Sequence, residues 1–352
     1  MFVLPWLDGI CVVVRPEADC PDKMETPENI LVIRLKSIGD VLFTLPAVQA
    51  LHDNFPSARI IFLTSRENAP LLLGFREVND VIVLDRTALR NPFRCVPEIF
   101  RLLRRLRSGK FSKVIDFQGY GETAWLSWWS GAPERWGSVY GPGRRWAYTR
   151  GLTRIDKMHP AEWNLSLLQQ CGLQLGRVRN DYVLPAAALT EAEHFFKGNN
   201  LDASKTTLYL QPFTSSPPKN WPLENFLALA RFWRARGLQI IFSGGPGDRP
   251  QLEPAQADGF TVAAGVPRLT DAGLMKLSTV VVGGDTGFLH LAVALGKRVV
   301  MIRDAMLPGS PHPYQHPDWV VTPAAGKTIQ EIEIGAVIAA CAAAMENIQR
   351  QA

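Results

Sequence analysis

The sequence has few cysteines and no long apolar run. Its five cysteines are scattered and form no Cys-x-x-Cys pair. They predict reduced thiols and argue against a disulfide framework or a cysteine-based zinc site. No apolar stretch approaches the roughly 20 residues that a membrane-spanning helix requires. The segment ahead of Ile10–Val14 lacks the basic residues of a secretory signal peptide, so none is expected.

Common nucleotide, nucleic-acid and metal motifs are also missing. The glycine-rich turn at 243–248 does not match Gly-x-Gly-x-x-Gly, and it does not end in Gly-Lys-Ser or Gly-Lys-Thr. This disfavours a dinucleotide-dependent oxidoreductase, which stays an alternative, and argues against a P-loop enzyme. No DNA- or RNA-binding motif is present, so a nucleic-acid partner is not expected. His312 and His316 have only Asp318 near them, which is weak support for a metal site.

What the sequence does contain is enough apolar residue for packed cores and a concentration of arginine. At 352 residues and 47% hydrophobic content, it predicts two domains. The net charge is only +5, yet the arginines cluster, which indicates an anionic partner unless they form an ordinary solvated surface. The densest group is Arg135, Arg144, Arg145, Arg150 and Arg154. Trp125, Trp128 and Trp129 recur nearby at helical spacing, which favours core packing over a binding platform.

Short apolar runs alternate with helical patterns along most of the chain. This alternation predicts an α/β fold with parallel sheets that are covered on both faces. The predicted strands are 30–35, 59–64, 81–84, 113–116, 207–212, 238–242, 279–282 and 298–302. The main predicted helices are 41–54, 67–74, 97–107, 123–130, 159–171, 190–198, 223–237, 269–277 and 329–349. The predicted organisation is an extension of unknown role at 1–28, one domain at 29–178 and a second at 179–352.

The stretch 280–295 contains the pattern on which the functional interpretation depends. A buried strand leads into Gly283 and Gly284, which permit a tight turn and close backbone approach. Asp285 or Thr286 then caps a helix, whose free N–H groups suit a phosphate. His290 lies one turn along the same face and can reach the same ligand. Turns of this kind often bind nothing, so the rest of the chain has to support the assignment.

Three further loops carry candidate polar groups. Asp40 follows the first strand, where it is either a plain helix cap or a carboxylate at the ligand-binding edge of the sheet. Thr214, Ser215 and Lys219 lie in a loop that is rich in hydroxyl groups and proline. Their side chains can bind phosphate oxygens, although an ordinary surface loop is the alternative. Asp248 can accept a ribose hydroxyl or cap its own turn.

Four motifs occur in a characteristic order: Arg34-Leu-Lys-Ser-Ile-Gly-Asp-Val41, Asp116-x-Gln-Gly119, Lys219-x-Trp-Pro222 and Asp285-Thr-Gly-x-x-His-Leu-Ala292. From about residue 29 to the C-terminus, the chain resembles the ADP-heptose:lipopolysaccharide heptosyltransferases, the family 9 glycosyltransferases of Gram-negative bacteria. The resemblance implies a GT-B fold, in which two Rossmann-like domains face each other across a cleft. In that family the last helix commonly packs back on the N-terminal domain.

The resemblance also implies residue roles. Asp40 matches the general base. The residues that match donor contacts are Thr214, Ser215, Lys219, Asp248, Asp285, Thr286, Gly287 and His290. The residues that are expected to meet the acceptor are Lys36, Ser37, Gly39, Gln118 and Arg144. Lys36 departs from the small or hydroxyl residue that many members have at its position.

The expected function is therefore inverting transfer of heptose from ADP-heptose to an anionic inner-core lipopolysaccharide acceptor. Such a transfer needs a base for the acceptor hydroxyl and positive charge for the leaving diphosphate. No Asp-x-Asp pair is present, so neither a metal nor another cofactor is expected. The expected location is cytoplasmic, at the surface of the inner membrane. A different donor or acceptor stays open, as does a nucleotide-binding protein without transferase activity.

Overall fold

The computed structural model of the chain describes residues 28–155, 157–304 and 311–351. Residues 1–27 of the predicted extension lie outside these ranges. The chain divides between Asp181 and Tyr182 into two units, each with its own parallel sheet. Within the described ranges, no helix has the length and apolar character needed to cross a bilayer.

The first unit is built on a six-stranded sheet in the order β3-β2-β1-β4-β5-β6. Its strands are β1 (Asn29–Ile33), β2 (Arg59–Ser65), β3 (Val78–Leu84), β4 (Lys113–Asp116), β5 (Glu134–Val139) and β6 (Arg150–Thr153). Its helices are α1 (Ile38–Leu42), α2 (Leu45–Asn54), α3 (Pro92–Ser108), α4 (Gly121–Trp129) and α5 (Pro160–Gln170). The central strands are almost wholly apolar because both faces of the sheet are covered.

The second unit repeats this plan. Its sheet has the order β12-β11-β10-β7-β8-β9. The strands are β7 (Thr207–Gln211), β8 (Gln239–Gly244), β9 (Thr261–Ala264), β10 (Val280–Gly284), β11 (Arg298–Ile302) and β12 (Val320–Val321). The helices are α6 (Ala186–Gly198), α7 (Leu223–Arg234), α8 (Glu253–Ala257), α9 (Arg268–Leu277), α10 (Gly287–Ala294) and α11 (Ile334–Gln351). Two parallel sheets confirm the predicted α/β class.

Two predicted helices are interrupted. The helix expected at 41–54 consists of α1 and α2, which break at Phe43 and Thr44. Pro46 is the second residue of α2, and a proline has no N–H with which to continue a helix from the preceding turn. The helix expected at 329–349 is likewise a short 3-10 turn at Ile329–Glu331 followed by α11.

The final helix contributes to the core of the second unit. Val337, Cys341 and Ala344 are buried there together with residues of β10 and α7. The return of this helix to the N-terminal domain stays a prediction.

Candidate functional site

Arg144 follows β5 and Asp248 follows β8, whereas the other candidate residues lie where two loops meet at the carboxyl edge of each sheet. In the first unit these loops follow β1 and β4, which are neighbours in the sheet. In the second unit they follow β7 and β10, which are also neighbours. Each pair marks the point where the order of the strands reverses, and open α/β sheets bind ligands at such points.

Asp40 lies in α1, and only one of its carboxylate oxygens is engaged. Oδ2 accepts from the backbone N–H of Ser37 at 3.2 Å and lies 2.8 Å from Nη2 of Arg34. The Ser37 hydroxyl also lies 3.3 Å from Oδ2. Among the described residues, Oδ1 has no hydrogen-bond partner, and the side chain is 32% exposed. Asp40 therefore has one fixed oxygen and one that is available to a ligand.

Arg34 holds Asp40 in place and was given no role by the sequence analysis. It stands just after β1 and is 6% exposed. Its guanidinium donates to the carbonyl oxygens of Lys36 at 2.9 Å and Phe117 at 2.5 Å, besides the contact with Asp40. A buried cation requires partners of this kind. The sequence contained one signal for this pair. Arg34 follows an apolar strand and stands six residues before Asp40.

Gln118 stabilises the backbone of the loop that follows β1. Its side-chain oxygen accepts from the backbone N–H groups of Leu35 at 3.0 Å and Lys36 at 3.2 Å. Gln118 is 1% exposed, and the Asp116 carboxylate accepts from its backbone N–H. Gln118 thus joins the loops after β1 and β4. Its contact with an acceptor stays a prediction, as do those of Ser37 and Gly39.

A cavity of about 530 Å³ opens beside this loop. It is lined by Lys36, Tyr120, Gly121, Glu122, Tyr140 and Arg144. The Lys36 ammonium lies 3.9 Å from the Glu122 carboxylate and 5.5 Å from the Tyr120 ring centroid. Arg144 donates to the carbonyl oxygen of Gly119 at 3.1 Å. Two aromatic rings, two cations and one carboxylate therefore line the cavity.

Tyr140 lines this cavity and lies close enough to Asp40 for the carboxylate charge to act on its phenol. Burial raises the pKa of the Tyr140 phenol, while the positive charges of Arg154 and Arg34 oppose the shift. The Arg154 guanidinium lies 5.4 Å from the centroid of the Tyr140 ring. The sequence analysis did not single out Tyr120 or Tyr140, because isolated tyrosines in loops carry no pattern.

The arginine group does not act as one patch. Arg135 belongs to β5 and donates to the carbonyl oxygens of Ala147 and Ala132. Arg150 belongs to β6 and donates to the carbonyl oxygen of Cys171 at 2.7 Å. These two arginines stabilise the edge of the sheet, so the interpretation of the whole group as a ligand surface is wrong for them.

In the second unit, Asp285 lies between two basic side chains. Its Oδ2 is 2.9 Å from the Lys219 ammonium, and its Oδ1 is 3.2 Å from Nε2 of His290. Burial disfavours the charged carboxylate, but His290 and then Lys219 more than offset that effect, so the pKa of Asp285 is lowered. The sequence prediction that these three residues share one site agrees with the distances. Their contacts with a donor stay a prediction.

The start of α10 adjoins this cluster. Thr286 is the N-cap, and its hydroxyl accepts from the backbone N–H of Leu289 at 3.3 Å. The same hydroxyl lies 3.3 Å from the side-chain oxygen of Gln211, at the end of β7. Gly287 is the first residue of the helix. Its neighbouring N–H groups give this end the partial positive charge that attracts anions.

Gly283 and Gly284 are needed for close packing. Both lie in β10, so the turn that was predicted for them begins after them. A Cβ on Gly283 would lie 2.6 Å from the carbonyl oxygen of Gln211. A Cβ on Gly284 would lie 2.6 Å from Cγ2 of Thr214. Their bare backbones let the loop that carries Lys219 lie directly against β10.

The other donor candidates are less directly placed. The Thr214 hydroxyl donates to the carbonyl oxygen of Ser216 and accepts from its N–H, so it shapes its own loop. Ser215 is exposed. Asp248 accepts from the backbone N–H of Gly245 at 2.8 Å, which is the local cap that the sequence analysis weighed against ribose binding. The ribose contact stays a prediction.

Arg303 and His312 also face the Asp285 cluster. Gly284 and Ile302 are paired in the sheet, so Asp285 and Arg303 follow neighbouring strands at the same level. Burial lowers the pKa of Arg303, and the charges of Asp285 and Asp304 oppose that shift. Burial also lowers the pKa of His312, and the charges of Arg303 and His290 lower it further. His312 therefore lies beside basic groups, not in a pair with His316, which stacks on Trp319.

In the described part of the chain, histidine, cysteine and acidic side chains form no group of three or more that could hold a metal ion.

Comparisons with known proteins show similarity in sequence and in fold. The chain is 23% identical over 301 residues to lipopolysaccharide heptosyltransferase 1 of Escherichia coli K12, covering 80% of this chain and 89% of the relative. It is similar to the solved glycosyltransferase family 9 structure from Veillonella parvula, with a TM-score of 0.81, 21% identity and coverage of 92% and 99%. The Escherichia coli heptosyltransferase WaaC with ADP-2-deoxy-2-fluoro heptose has a TM-score of 0.71, 21% identity and coverage of 92% and 100%.

These similarities support the GT-B fold class that the sequence motifs implied. The family model described as Glycosyltransferase family 9 (heptosyltransferase) matches residues 99–330, which is more than half of the chain. The match includes the Lys219, Asp285 and His290 cluster and begins after the Asp40 loop. The chain therefore belongs to glycosyltransferase family 9, the family of the heptosyltransferases.

Proposed function

We propose that this protein transfers a heptose from ADP-heptose to an inner-core lipopolysaccharide acceptor, with inversion at the anomeric carbon. The observation that carries the proposal is the cluster of Lys219, Asp285 and His290 at the start of α10, in a chain of a heptosyltransferase family. The similarity to lipopolysaccharide heptosyltransferase 1 and to WaaC with an ADP-heptose analogue supports heptose as the sugar and lipopolysaccharide as the acceptor.

On the donor side, the leaving group is an ADP diphosphate. The Lys219 ammonium and the N-terminus of α10 would bind its oxygens and stabilise the negative charge that develops as the bond to the sugar breaks. Asp285 keeps Lys219 and His290 oriented in the absence of substrate. Fixed donors of this kind cost no reorganisation during the reaction. We therefore propose that they act without a metal ion or another cofactor.

On the acceptor side, we assign the general base to Asp40. The acceptor hydroxyl oxygen attacks the anomeric carbon, the bond from that carbon to the phosphate oxygen breaks, and the hydroxyl proton passes to Asp40. Oδ1 is the oxygen that would take it, because Arg34 and Ser37 already occupy Oδ2. Direct displacement inverts the configuration. The cavity with Lys36 and Arg144 is suited to the phosphates or carboxylates of an inner-core sugar.

The test is incubation of the purified protein with ADP-heptose and defined lipid A–core acceptors, with product mass read by mass spectrometry. The linkage configuration follows from NMR of the product, and turnover in the presence of EDTA tests the metal-independent mechanism. Heptose addition with inversion and unchanged EDTA turnover is the expected result. A retained anomeric configuration would exclude direct displacement, and loss of turnover in EDTA would exclude the metal-free mechanism.

A second candidate is the same chemistry with a different sugar or acceptor. Lys36 favours it, because that residue lines the acceptor cavity and differs from the small residue of many family members. A panel of nucleotide sugars and truncated acceptors in the same assay separates the two. Tight ADP binding without transfer from any donor would instead identify a nucleotide-binding protein that has no transferase activity.

We further propose that the protein works in the cytoplasm at the surface of the inner membrane, since a lipid-anchored acceptor is presented there. Fractionation of cells that express the protein, with and without high-salt washing of the membranes, tests this location. Recovery of the protein in the salt-released fraction is expected, and recovery only in the soluble fraction would contradict it.

A further inference from the structure

Helix α3 exposes a row of large apolar side chains. Phe93 is 90% exposed, Val96 72% and Phe100 67%. Their spacing of three and four residues places them on one face of the helix. The opposite face carries Leu102 and Leu106, which are buried in the core of the first unit. The helix is therefore already anchored, and the fold does not account for the outer row.

Arginines surround this apolar row. The helix has five arginines and a single acidic residue, Glu98. Glu98 pairs with Arg101 at 2.6 Å, and Arg105 pairs with Asp80 at 2.7 Å. Arg94, Arg104 and Arg107 are exposed beside or between the apolar side chains. A helix with exposed phenylalanines and flanking arginines has the composition of helices that lie in a bilayer interface.

Exposed tryptophans continue the surface onto α4. Trp125, Trp128 and Trp146 are each about half exposed, at 48%, 45% and 54%. The core packing favoured for the tryptophan stripe is therefore wrong for Trp125 and Trp128. Trp129 joins the two helices, because its indole N–H donates to the carbonyl oxygen of Leu103 at 3.3 Å. Tryptophan is enriched at membrane interfaces because its ring is apolar and its N–H is polar.

We propose that α3 and the adjoining tryptophans form a docking surface for an anionic lipid bilayer. Phe93, Val96 and Phe100 enter the boundary between headgroups and acyl chains, and the arginines bind lipid phosphates. This inference deepens the proposed function, because it names the surface through which the enzyme meets the membrane that holds its acceptor. A second copy of the chain is a poorer occupant, since a self-complementary contact would bring like-charged arginine faces together.

The experiment is flotation of the full-length protein with vesicles of phosphatidylcholine, either alone or with phosphatidylglycerol. The protein is expected to float with the anionic vesicles, and added salt should release it because exposed charges are screened. Exchange of Phe93 and Phe100 for serine should lower the partition coefficient by at least ~10-fold. Exchange of Arg104 and Arg107 for glutamine should lower it by ~5-fold for each charge.

Matched controls come from other surfaces. Ile155→Ser removes an exposed apolar residue away from α3, and Arg236→Gln removes an exposed arginine of the second unit. Neither should change flotation. In the wild-type protein, tryptophan emission should shift to shorter wavelength on anionic vesicles. The Trp125→Phe/Trp128→Phe variant should lose most of that shift.

Three outcomes would overturn the proposal. The first is no flotation of the wild-type protein, and the second is unchanged flotation of the Phe93→Ser/Phe100→Ser variant. The third is a concentration-dependent dimer that this variant abolishes, without vesicle binding by the wild type, which would identify a second copy as the occupant. Transfer to a soluble, delipidated acceptor should be equal in wild type and variant. Flotation requires no turnover, so it tests the docking surface even if the proposed heptose transfer is not observed.

Discussion

In the first unit the strands follow the order β3-β2-β1-β4-β5-β6, and in the second β9-β8-β7-β10-β11-β12. Counted within each unit, the two orders are the same. Both units place candidate residues after the first and fourth strands, while Arg144 and Asp248 follow other strands. The backbone plan therefore gives two equivalent ligand-binding edges, and the side chains decide what each edge does.

The side chains at the two edges have complementary arrangements. Asp40 in the first unit is a carboxylate that a buried arginine holds by one oxygen. Asp285 in the second unit has both oxygens in contact with basic groups and is 8% exposed. A carboxylate with one oxygen outside such contacts can accept a proton on that oxygen. A carboxylate with both oxygens in contact with basic groups is suited to positioning those groups. The difference in contacts is what supports the proposed roles, with Asp40 as the base and Asp285 as a positioning residue.

The largest expected effect is on Asp40. Asp40→Asn keeps the shape of the side chain but removes its ability to accept a proton. We expect kcat to fall ~1,000-fold, within the usual range for loss of a general base, while ADP affinity is unchanged. Steady-state kinetics and calorimetric titration with ADP measure the two quantities. Glu122→Gln, at the acceptor cavity, is the matched control and should retain kcat within ~10-fold. Near-normal turnover of Asp40→Asn would remove the proposed base.

Lys219 should show the reverse pattern. Lys219→Met removes a charge-assisted contact with the diphosphate, so ADP affinity should fall by ~10- to 100-fold. The variant leaves Asp285 without its lysine, and Lys219→Met/Asp285→Asn therefore serves as a second variant that isolates the loss of the cation. Lys205→Met is the control on the same unit. Equal ADP affinity in all four proteins would show that the diphosphate binds elsewhere.

A buried aspartate should make stability depend on pH. Burial raises the pKa of Asp271 to about 7, against hydrogen bonds from Tyr209 and Ser243. The native chain thus keeps a proton that the unfolded chain releases near pH ~4. Between pH ~4 and about pH 7 the free energy of unfolding falls as pH rises, by ~1.4 kcal/mol per pH unit for this group. The contribution of Asp271 to stability is therefore greatest below pH ~4. Urea unfolding across pH 4–8 should show a flatter dependence for Asp271→Asn than for wild type or Glu193→Gln. Identical slopes would contradict the assignment.

The smallest expected effect is on Arg303. Arg303→Met should lower ADP affinity by ~5-fold, because one partly buried cation is lost beside Asp285, where the diphosphate is proposed to bind. Titration with ADP, and with AMP, distinguishes a diphosphate contact from a general effect on the site. The loss of affinity caused by Arg303→Met should be smaller for AMP than for ADP. Arg236→Met controls for removal of an arginine from the second unit, and an equal loss for both ligands would argue against a diphosphate contact.

The central strands and the order of the motifs could be predicted from sequence because they depend on local pattern. The strand at 298–302 has the predicted bounds. The strands β5 and β6, of which β6 is an edge strand, were not predicted. They read Glu134-Arg-Trp-Gly-Ser-Val139 and Arg150-Gly-Leu-Thr153. Their charged residues and glycines interrupt the apolar run that identifies a buried strand.

In the candidate site, too, only the contacts that depend on local sequence could be predicted. Asp285 directly precedes the N-cap of α10 and His290 lies near the start of that helix, so their proximity follows from local geometry. Arg34 and Phe117 are joined only by the pairing of β1 with β4, and Arg303 reaches Asp285 only through the pairing of β10 with β11. Contacts of this kind depend on the fold as a whole. No spacing along the chain reveals them.

Helix α4 has a consequence for how an acceptor would be reached. Gly121 and Glu122 at its start line the cavity, and Trp128 and Trp129 at its end adjoin α3. Nine helical residues span about 13 Å. If Trp125 and Trp128 rest at lipid headgroup level, the cavity lies no farther from the headgroups than this length. An acceptor sugar held much farther from its lipid anchor would overshoot Tyr120, so the distance between sugar and anchor would itself become a basis for selectivity.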